Sequence, residues 1–310
     1  MILIISEIGD NVTDSVMEYL PEFNVLRINQ DDEIRRVTYN KSGYEIEFAT
    51  KGILVLSAVK KVWYRRGYIN RPAIAPFYAN WKRSISANWL SVLTHLMESQ
   101  ASKTLGSFRL EHTQNKLLDL DLAKSVGFNV PETLVTTSKA DVLAFIKTHG
   151  RIISKPLDSA LSEVHNNIFG MGTVMIDSEV LQPLPELLPI ALFQAYIFKE
   201  VELRIFYLEG ELFTVAIFSQ QSQKTVIDFR HYCELRPSRM VPFLLPVEIA
   251  QMVNQFMKLK MLNTGSLDFI LTPAGEYVFL EVNPSGQFEW ISIACNLNLE
   301  KRIADTLAKL

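Results

Sequence analysis

The chain is short of cysteine, of long apolar runs and of surplus positive charge, and each shortage removes a class of protein. Its two cysteines, Cys233 and Cys295, form neither a CxxC pair nor a ligand cluster, a usage that suits a reducing cytoplasm rather than a disulfide scaffold. The longest charge-free apolar stretch, Leu187 to Phe198, contains Pro189 and Gln194 and falls short of the ~20 residues that span a bilayer. Met1-Ile2-Leu3-Ile4-Ile5 has no basic segment before it and reads as a buried strand, not a signal peptide. Lys and Arg total 31 against 34 Asp and Glu, a net charge of −3, without the cationic excess that phosphate-backbone binding usually shows. A soluble cytoplasmic protein with no nucleic-acid or membrane partner is the expectation.

What is there is ordinary globular sequence. The 310 residues, 48% hydrophobic and 21% charged, correspond to roughly two domains at about 150 residues each and can close a core without staples. An α/β opening comes first: a strand, a helix over about 11–20, and a strand from Phe23 to Ile28. Asn40-Lys41-Ser42-Gly43 predicts a turn between two strands. Trp81, Ile85, Trp89, Leu93 and Leu96 recur at helical spacing and predict a helix whose stripe enters the core. The chain restarts near 115 with a helix from Lys116 to Val126 closed by Gly127. Ser138 caps a helix ending at Gly150, a strand follows at Ile152 to Pro156, and 158–172 reads as a polar loop. Strands at 173–176, 191–197, 202–208 and 211–219 come next, with Glu209-Gly210 as a hairpin turn. A helix over about 246–261, a hairpin over 266–284 and a helix over about 298–309 end the chain.

The hairpin carries the chemistry. A turn centred on Ala274-Gly275 would set Leu267 opposite Val282, Phe269 opposite Leu280 and Leu271 opposite Val278, giving one apolar face. The same register sets Asp268 opposite Glu281, with Asn283 further along that face. Opposed like charges destabilise a sheet, so either the face is solvated or a cation lies between them. Two carboxylates and an amide oxygen suit Mg²⁺ or Mn²⁺.

Asp268 followed by Glu281-x-Asn283-Pro284 resembles the magnesium motif of the ATP-grasp ligases. Asn115-Lys116 and Ile153-Ser154-Lys155-Pro156 resemble that family's two phosphate lysines, although either lysine alone reads more simply as a solvated surface residue. Phe193-Gln194-Ala195-Tyr196-Ile197 is similar to the hinge strand that meets adenine, and Glu202-Leu203-Arg204 to its ribose acceptor and phosphate clamp. The match covers roughly residues 110–300, and its specificity lies in the ordered set. One departure is the loop from Asp158 to Gly172, where the family is often glycine-rich and this chain has only Gly170 and Gly172.

The resemblance implies an α/β (α+β) ATP-grasp fold with an N-terminal pre-ATP-grasp domain over 1–105, a central lid subdomain over 106–190 and a C-terminal antiparallel-sheet subdomain over 191–310. It implies ATP and Mg²⁺, two ions, as cofactors. Lys116, Lys155, Gln194, Tyr196, Ile197, Glu202 and Arg204 would hold nucleotide, with Lys155 and Arg204 catalytic, and Asp268, Glu281 and Asn283 would hold metal. Val62-Trp63-Tyr64-Arg65-Arg66, Asp228-Phe229-Arg230-His231-Tyr232 and Ser285-Gly286-Gln287-Phe288 resemble the ATP-grasp maturases of ribosomal peptides, the graspetide or microviridin-type ligases, most of all the grasp-with-spasm maturases. Such enzymes activate Asp or Glu side chains of a precursor peptide as acyl phosphates and join them to Thr, Ser or Lys side chains. The implied partner is a precursor with a leader and an acidic Thr/Ser-rich core, held by Arg230, Asp228 and Arg236, and a homodimer is compatible with it. The competing readings are a ligase adding amino acids to a carboxylate, like the glutamate-adding enzymes, and a non-catalytic nucleotide-binding module.

Overall fold

Residues Ile2 to Ile5 are an unbroken apolar run, and the strand they make, β1 (Ile2–Ser6), is buried along its whole length, as a strand covered on both faces must be. The structure, a computed structural model, describes residues 1–21, 24–158, 161–164, 167–170, 172–221 and 238–309. After α1 (Asn11–Met17) comes β2 (Val25–Asn29). An antiparallel meander follows, β3 (Ile34–Asn40), β4 (Gly43–Phe48) and β5 (Gly52–Val55), with Asn40 paired to Gly43 across the expected turn. β6 (Lys61–Tyr64) and β7 (Thr104–Leu105) complete a parallel sheet of order β2-β1-β6-β7. Between them a 3-10 turn, Pro76–Trp81, leads into α2 (Lys82–Glu98), and α3 (Phe108–His112) follows β7.

Of the predicted α2 stripe, Leu93 and Leu96 enter the core beside Leu3, Ile5 and Ile46, whereas Trp81 is 66% exposed. Trp81 closes the 3-10 turn ahead of the helix, so the 3.6-residue phase does not extend to it. The expectation that it is core is corrected.

From residue 114 a second set of elements begins. Asn115 Oδ1 accepts from the N–H groups of Leu117 and Leu118 and opens α4 (Lys116–Val126), which Gly127 closes at φ 105°. β8 (Thr133–Ser138), α5 (Lys139–His149), β9 (Ile152–Lys155), β12 (Val174–Ile176) and β13 (Leu187–Ala195) form an antiparallel sheet of order β12-β9-β13-β8. Val142 and Phe145 of α5 pack on Ile152 and Phe193 of that sheet. A two-stranded ladder, β10 (Leu161–Val164) with β11 (Asn167–Gly170), occupies the segment expected to be a loop. Leu161, Val164, Ile168 and Phe169 fall in no strict alternation with their polar neighbours, so the sequence pattern does not single the two strands out. A short helix, α6 (Ser178–Leu181), precedes β13.

β14 (Val201–Leu208) and β15 (Glu211–Phe218) turn at Glu209-Gly210, both with positive φ, 46° and 98°, the geometry of a type I′ hairpin. β16 (Arg239–Pro242), α7 (Val247–Lys260), β17 (Thr264–Leu271) and β18 (Tyr277–Asn283) follow, and the sheet runs β16-β15-β14-β17-β18. Phe128, Phe256, Phe269 and Phe279 meet there, with ring centroids 5.0 to 6.3 Å apart. The last elements are α8 (Glu289–Cys295) and α9 (Leu299–Ala308), which packs on α1 and β6.

The β17–β18 turn corrects the expected register. Gly275 N–H donates to Thr272 O at 2.9 Å and Thr272 N–H to Glu276 O at 3.0 Å, so Pro273 and Ala274 form its centre. Phe269 then meets Phe279, their ring centroids 5.4 Å apart, rather than Leu280, which is half-buried. Phe279 and Val282 are both fully buried though three residues apart, so strict alternation breaks between them. That break leaves Glu281 on the side that α4 reaches.

The chain divides into two compact units: Met1–Thr113 with Leu262–Gly265 and Asn283–Leu310, and Gln114–Met261 with Ser266–Val282. The three segments read from the sequence are a different division. Among the described residues no helix is long and apolar enough to cross a membrane.

Candidate active site

In the second unit Glu202, Arg204, Asp268 and Glu281 lie on strands of the five-stranded sheet. β14 lies inside that sheet and every one of its residues is buried, Glu202 and Arg204 included. Burying such groups is costly unless each is paired. Arg204 Nη1 donates to both carboxylate oxygens of Asp268 on the neighbouring β17, at 2.9 and 2.8 Å. Glu202 Oε1 accepts from Lys199 Nζ and from Ser219 Oγ, each at 2.6 Å. Burial pushes the Glu202 carboxyl above its ordinary range; Lys199 and Ser219 offset part of that, and the negative charge of Asp268 adds to it.

Lys116 and Glu281 form the other half of the site. Lys116 is the first residue of α4, and its Nζ donates to Pro156 O at 2.6 Å while standing 3.8 Å from Glu281 Oε2. One side chain thus joins the start of α4, the end of β9 and strand β18. Asp119, one turn further along α4, is 2% exposed and paired with Lys260 of α7. Burial raises its pKa, and Glu281 lies near enough to add to the shift.

Lys155 ends β9 opposite Leu192 of β13, and Gln194 lies opposite Ile153. Strand alternation therefore sets Lys155 and Gln194 on the face away from Ile152, Phe193 and α5. Gln194 is 1% exposed; its Nε2 donates to Thr133 Oγ1 at 3.0 Å, and its Oε1 is buried without a hydrogen-bond partner. Tyr196 N–H is donated to Arg151 O at 2.9 Å. Of the two hinge residues, this leaves Tyr196 C=O and the backbone of Ile197 to meet a base. Burial raises the Tyr196 phenol pKa.

Asn283 ends β18 and belongs to the first unit. Its Oδ1 lies 3.1 Å from Ser285 N and 3.0 Å from Ser285 Oγ, which is also 3.0 Å from Glu111 Oε1. Ser285 has one hydroxyl hydrogen, and the charged acceptor takes it, since hydrogen bonds to ionised groups are about twice as strong. A lone pair on Asn283 Oδ1 is then left over. Ser285 O in turn accepts from Arg65 Nη1, and Arg65, 2% exposed, lies 3.2 Å from Asp10 through Nε. Desolvation and the neighbouring Arg66 lower the Arg65 pKa to about 10, with Asp10, Glu111 and Glu289 opposing.

Asp228, Arg230 and Arg236 lie outside the described residues, as do His231 and Cys233. Lys199, Ser219, Asp119 and Glu111 are the participants that sequence reasoning missed. Each is a common polar residue without a motif, and only the fold reveals its partner.

The donor set fits a hard divalent cation. Asp268 and Glu281 of the second unit offer only oxygens, the hard donors that such a cation takes. Among the described residues no group of three or more His, Cys, Asp and Glu side chains is placed to hold a metal.

Neither a family model nor a curated protein matches the sequence. Solved structures do. A RiPP-associated ATP-grasp ligase of Chryseobacterium gregarium, in complex with ADP and a leader and core peptide, is 26% identical, with a TM-score of 0.83 over 99% of this chain and 95% of its own. The macrocyclase MdnC of Microcystis aeruginosa MRC, bound with precursor peptide MdnA, is 25% identical, with a TM-score of 0.79 over 99% of both chains. The macrocyclase MdnB of the same organism is 27% identical, with a TM-score of 0.74 over 100% of this chain and 99% of its own. The chain thus has the fold of the ATP-grasp ligases and is similar along its whole length to a RiPP-associated ligase and to two macrocyclases.

Proposed function

We propose that this chain is an ATP-dependent peptide maturase that joins Asp or Glu side chains of a ribosomal precursor peptide to Thr or Ser hydroxyls or Lys amines. One observation carries the reading: Asp268 held by Arg204 and Glu281 facing Lys116 on the adjoining strands β17 and β18, in a chain that matches peptide-bound ligases from end to end. A carboxylate is a poor electrophile at neutral pH. Transfer of the γ-phosphoryl group of ATP makes it an acyl phosphate and releases ADP; the hydroxyl or amine then attacks the acyl carbon, loses its proton and expels phosphate. The enzyme's share is alignment and charge neutralisation.

Lys116, Lys155 and Arg204 would offset phosphate charge, and Gln194, Tyr196, Ile197 and Glu202 would hold the nucleoside. Asp268, Glu281 and Asn283 would hold one or two Mg²⁺ ions, with Mn²⁺ an acceptable substitute, and the metal supplies charge neutralisation when bound. Arg230, with Asp228 and Arg236, would grip substrate carboxylates. The precursor would carry a leader and an acidic Thr/Ser-rich core, and a cytoplasmic homodimer would process it. Co-expression with such a precursor, followed by mass spectrometry, tests the proposal. Water losses from the peptide are expected with the wild-type chain and none with Glu281→Ala; unchanged product from Glu281→Ala at saturating Mg²⁺ rejects the site.

A further inference from the structure

In the first unit, well apart in sequence from the charged site, a groove of about 420 Å³ runs between the segment after Arg71 and one face of α2. Ile74, Tyr78, Ile85, Trp89 and Val92 line it, with Arg71 at its edge. The Trp89 indole is fixed by donation to Ile69 O at 2.9 Å, so the groove wall is built rather than collapsed. Around it lie Phe77, Trp81 and Leu90, exposed by 87, 66 and 50%. Large apolar side chains left in water next to a concavity mark a binding surface more often than chance does.

The stretch of sequence that builds this groove carries charge of one sign. From Phe48 to Met97, fifty residues, the sequence has no Asp or Glu and eight Lys or Arg. The remaining 23 basic residues face all 34 acidic ones, a net of −11 elsewhere in a chain whose total is −3. Lys51 and Arg65 of that block pair with Asp32 and Asp10 from outside it, and the cations nearest the groove in sequence are Arg71 at its edge and Lys82 and Arg83 at the start of α2. Lys82 and Arg83 occupy the first turn of α2, which has no acidic residue and no side-chain cap. Cations at the positive end of a helix dipole are unfavourable, so these two work against the helix that carries them.

We infer that this groove docks an acidic peptide segment bearing apolar or aromatic side chains: the apolar groups enter between Tyr78, Ile85 and Trp89, and the carboxylates meet Arg71, Lys82 and Arg83. The identification of that segment with part of the precursor peptide rests on the maturase reading above; the groove and its charge do not. Nucleic acid would offer phosphates but nothing for an aliphatic concavity, and a lipid surface would cover Phe77 and Trp81 without filling the groove.

The probe is a fluorescein-labelled synthetic peptide alternating Glu with Leu and Phe, its counterpart carrying Gln for Glu, and the full chain, followed by fluorescence anisotropy. The acidic peptide is expected to bind at least tenfold more tightly than the Gln peptide, and Lys82→Glu with Arg83→Glu is expected to weaken it about tenfold, as two exposed attractions become repulsions. Ile85→Glu should weaken both peptides. Equal binding of the two peptides, no effect of either variant, tighter capture of phosphatidylserine vesicles than of peptide, or self-association of the chain that Ile85→Glu abolishes would each overturn the inference. Peptide processing separates it from the maturase reading. Docking without any ATP-dependent water loss sinks only the latter, and water loss with unchanged KM in the Lys82→Glu, Arg83→Glu chain sinks only the former.

Discussion

Arg204 is the side chain on which the acidic site turns, because it neutralises Asp268 from within a fully buried strand. Lysine at this position keeps the charge but not the planar guanidinium. Arg204→Lys is expected to lower kcat/KM for peptide processing by roughly 10²–10³-fold, the order that loss of one preorganised donor costs, in steady-state assays of ADP release. Ser285 and Glu111 act one step further out, through the Asn283 lone pair they leave over. Removing partners of this kind weakens metal binding by about 10–100-fold, so Glu111→Gln should raise the Mn²⁺ concentration needed for half-saturation in electron paramagnetic resonance titrations, measured without turnover. Glu202 supplies a pH prediction. Its folded pKa lies above the ordinary 4.5, so the folded chain holds that proton more tightly than the unfolded chain, and Glu202 withdraws stability as pH rises through the interval between the two values. In urea melts at successive pH values, Glu202→Gln should gain on wild type across that interval and run parallel to it below.

Elements were legible where local chemistry alone decides them. Asn115 and Gly127 bound α4 as read, Glu209-Gly210 turns as read, and two ion pairs form within the second unit, Arg204 with Asp268 between neighbouring strands and Lys116 with Glu281 between a capped helix and a strand. Legibility failed where a choice depends on packing at a distance. The apolar stripe of α2 ran on through Trp81, although the 3-10 turn puts that ring in water. The β17–β18 register shifted because the Phe128, Phe256, Phe269 and Phe279 cluster sets it; the turn residues alone do not. A pair of substitutions shows the difference within α2 and its lead-in: Leu93→Ala should cost about 2–5 kcal/mol as a cavity in the core, and Trp81→Ala should stay within about 0.5 kcal/mol of wild type, both read from denaturant midpoints.

At the scale of the whole molecule, the chain passes between its two units four times, at residues 113–114, 261–262, 265–266 and 282–283. The last passage falls inside β18, between Val282 and Asn283, so one strand carries Glu281 in one unit and Asn283 in the other. The division is hard to read from composition, because two of these points, 113–114 and 261–262, carry no Gly, Pro or Ser, and the other two, at Gly265-Ser266 and before Pro284-Ser285-Gly286, fall at or within strands. The most direct test of the account follows ADP and peptide mass together, using the purified chain, a precursor peptide with an acidic Thr/Ser-rich core, ATP and Mg²⁺. The account predicts ADP released in step with each water lost from the peptide, and neither with Glu281→Ala. ADP formed at the same rate with and without peptide, while the peptide mass stays unchanged, would contradict it.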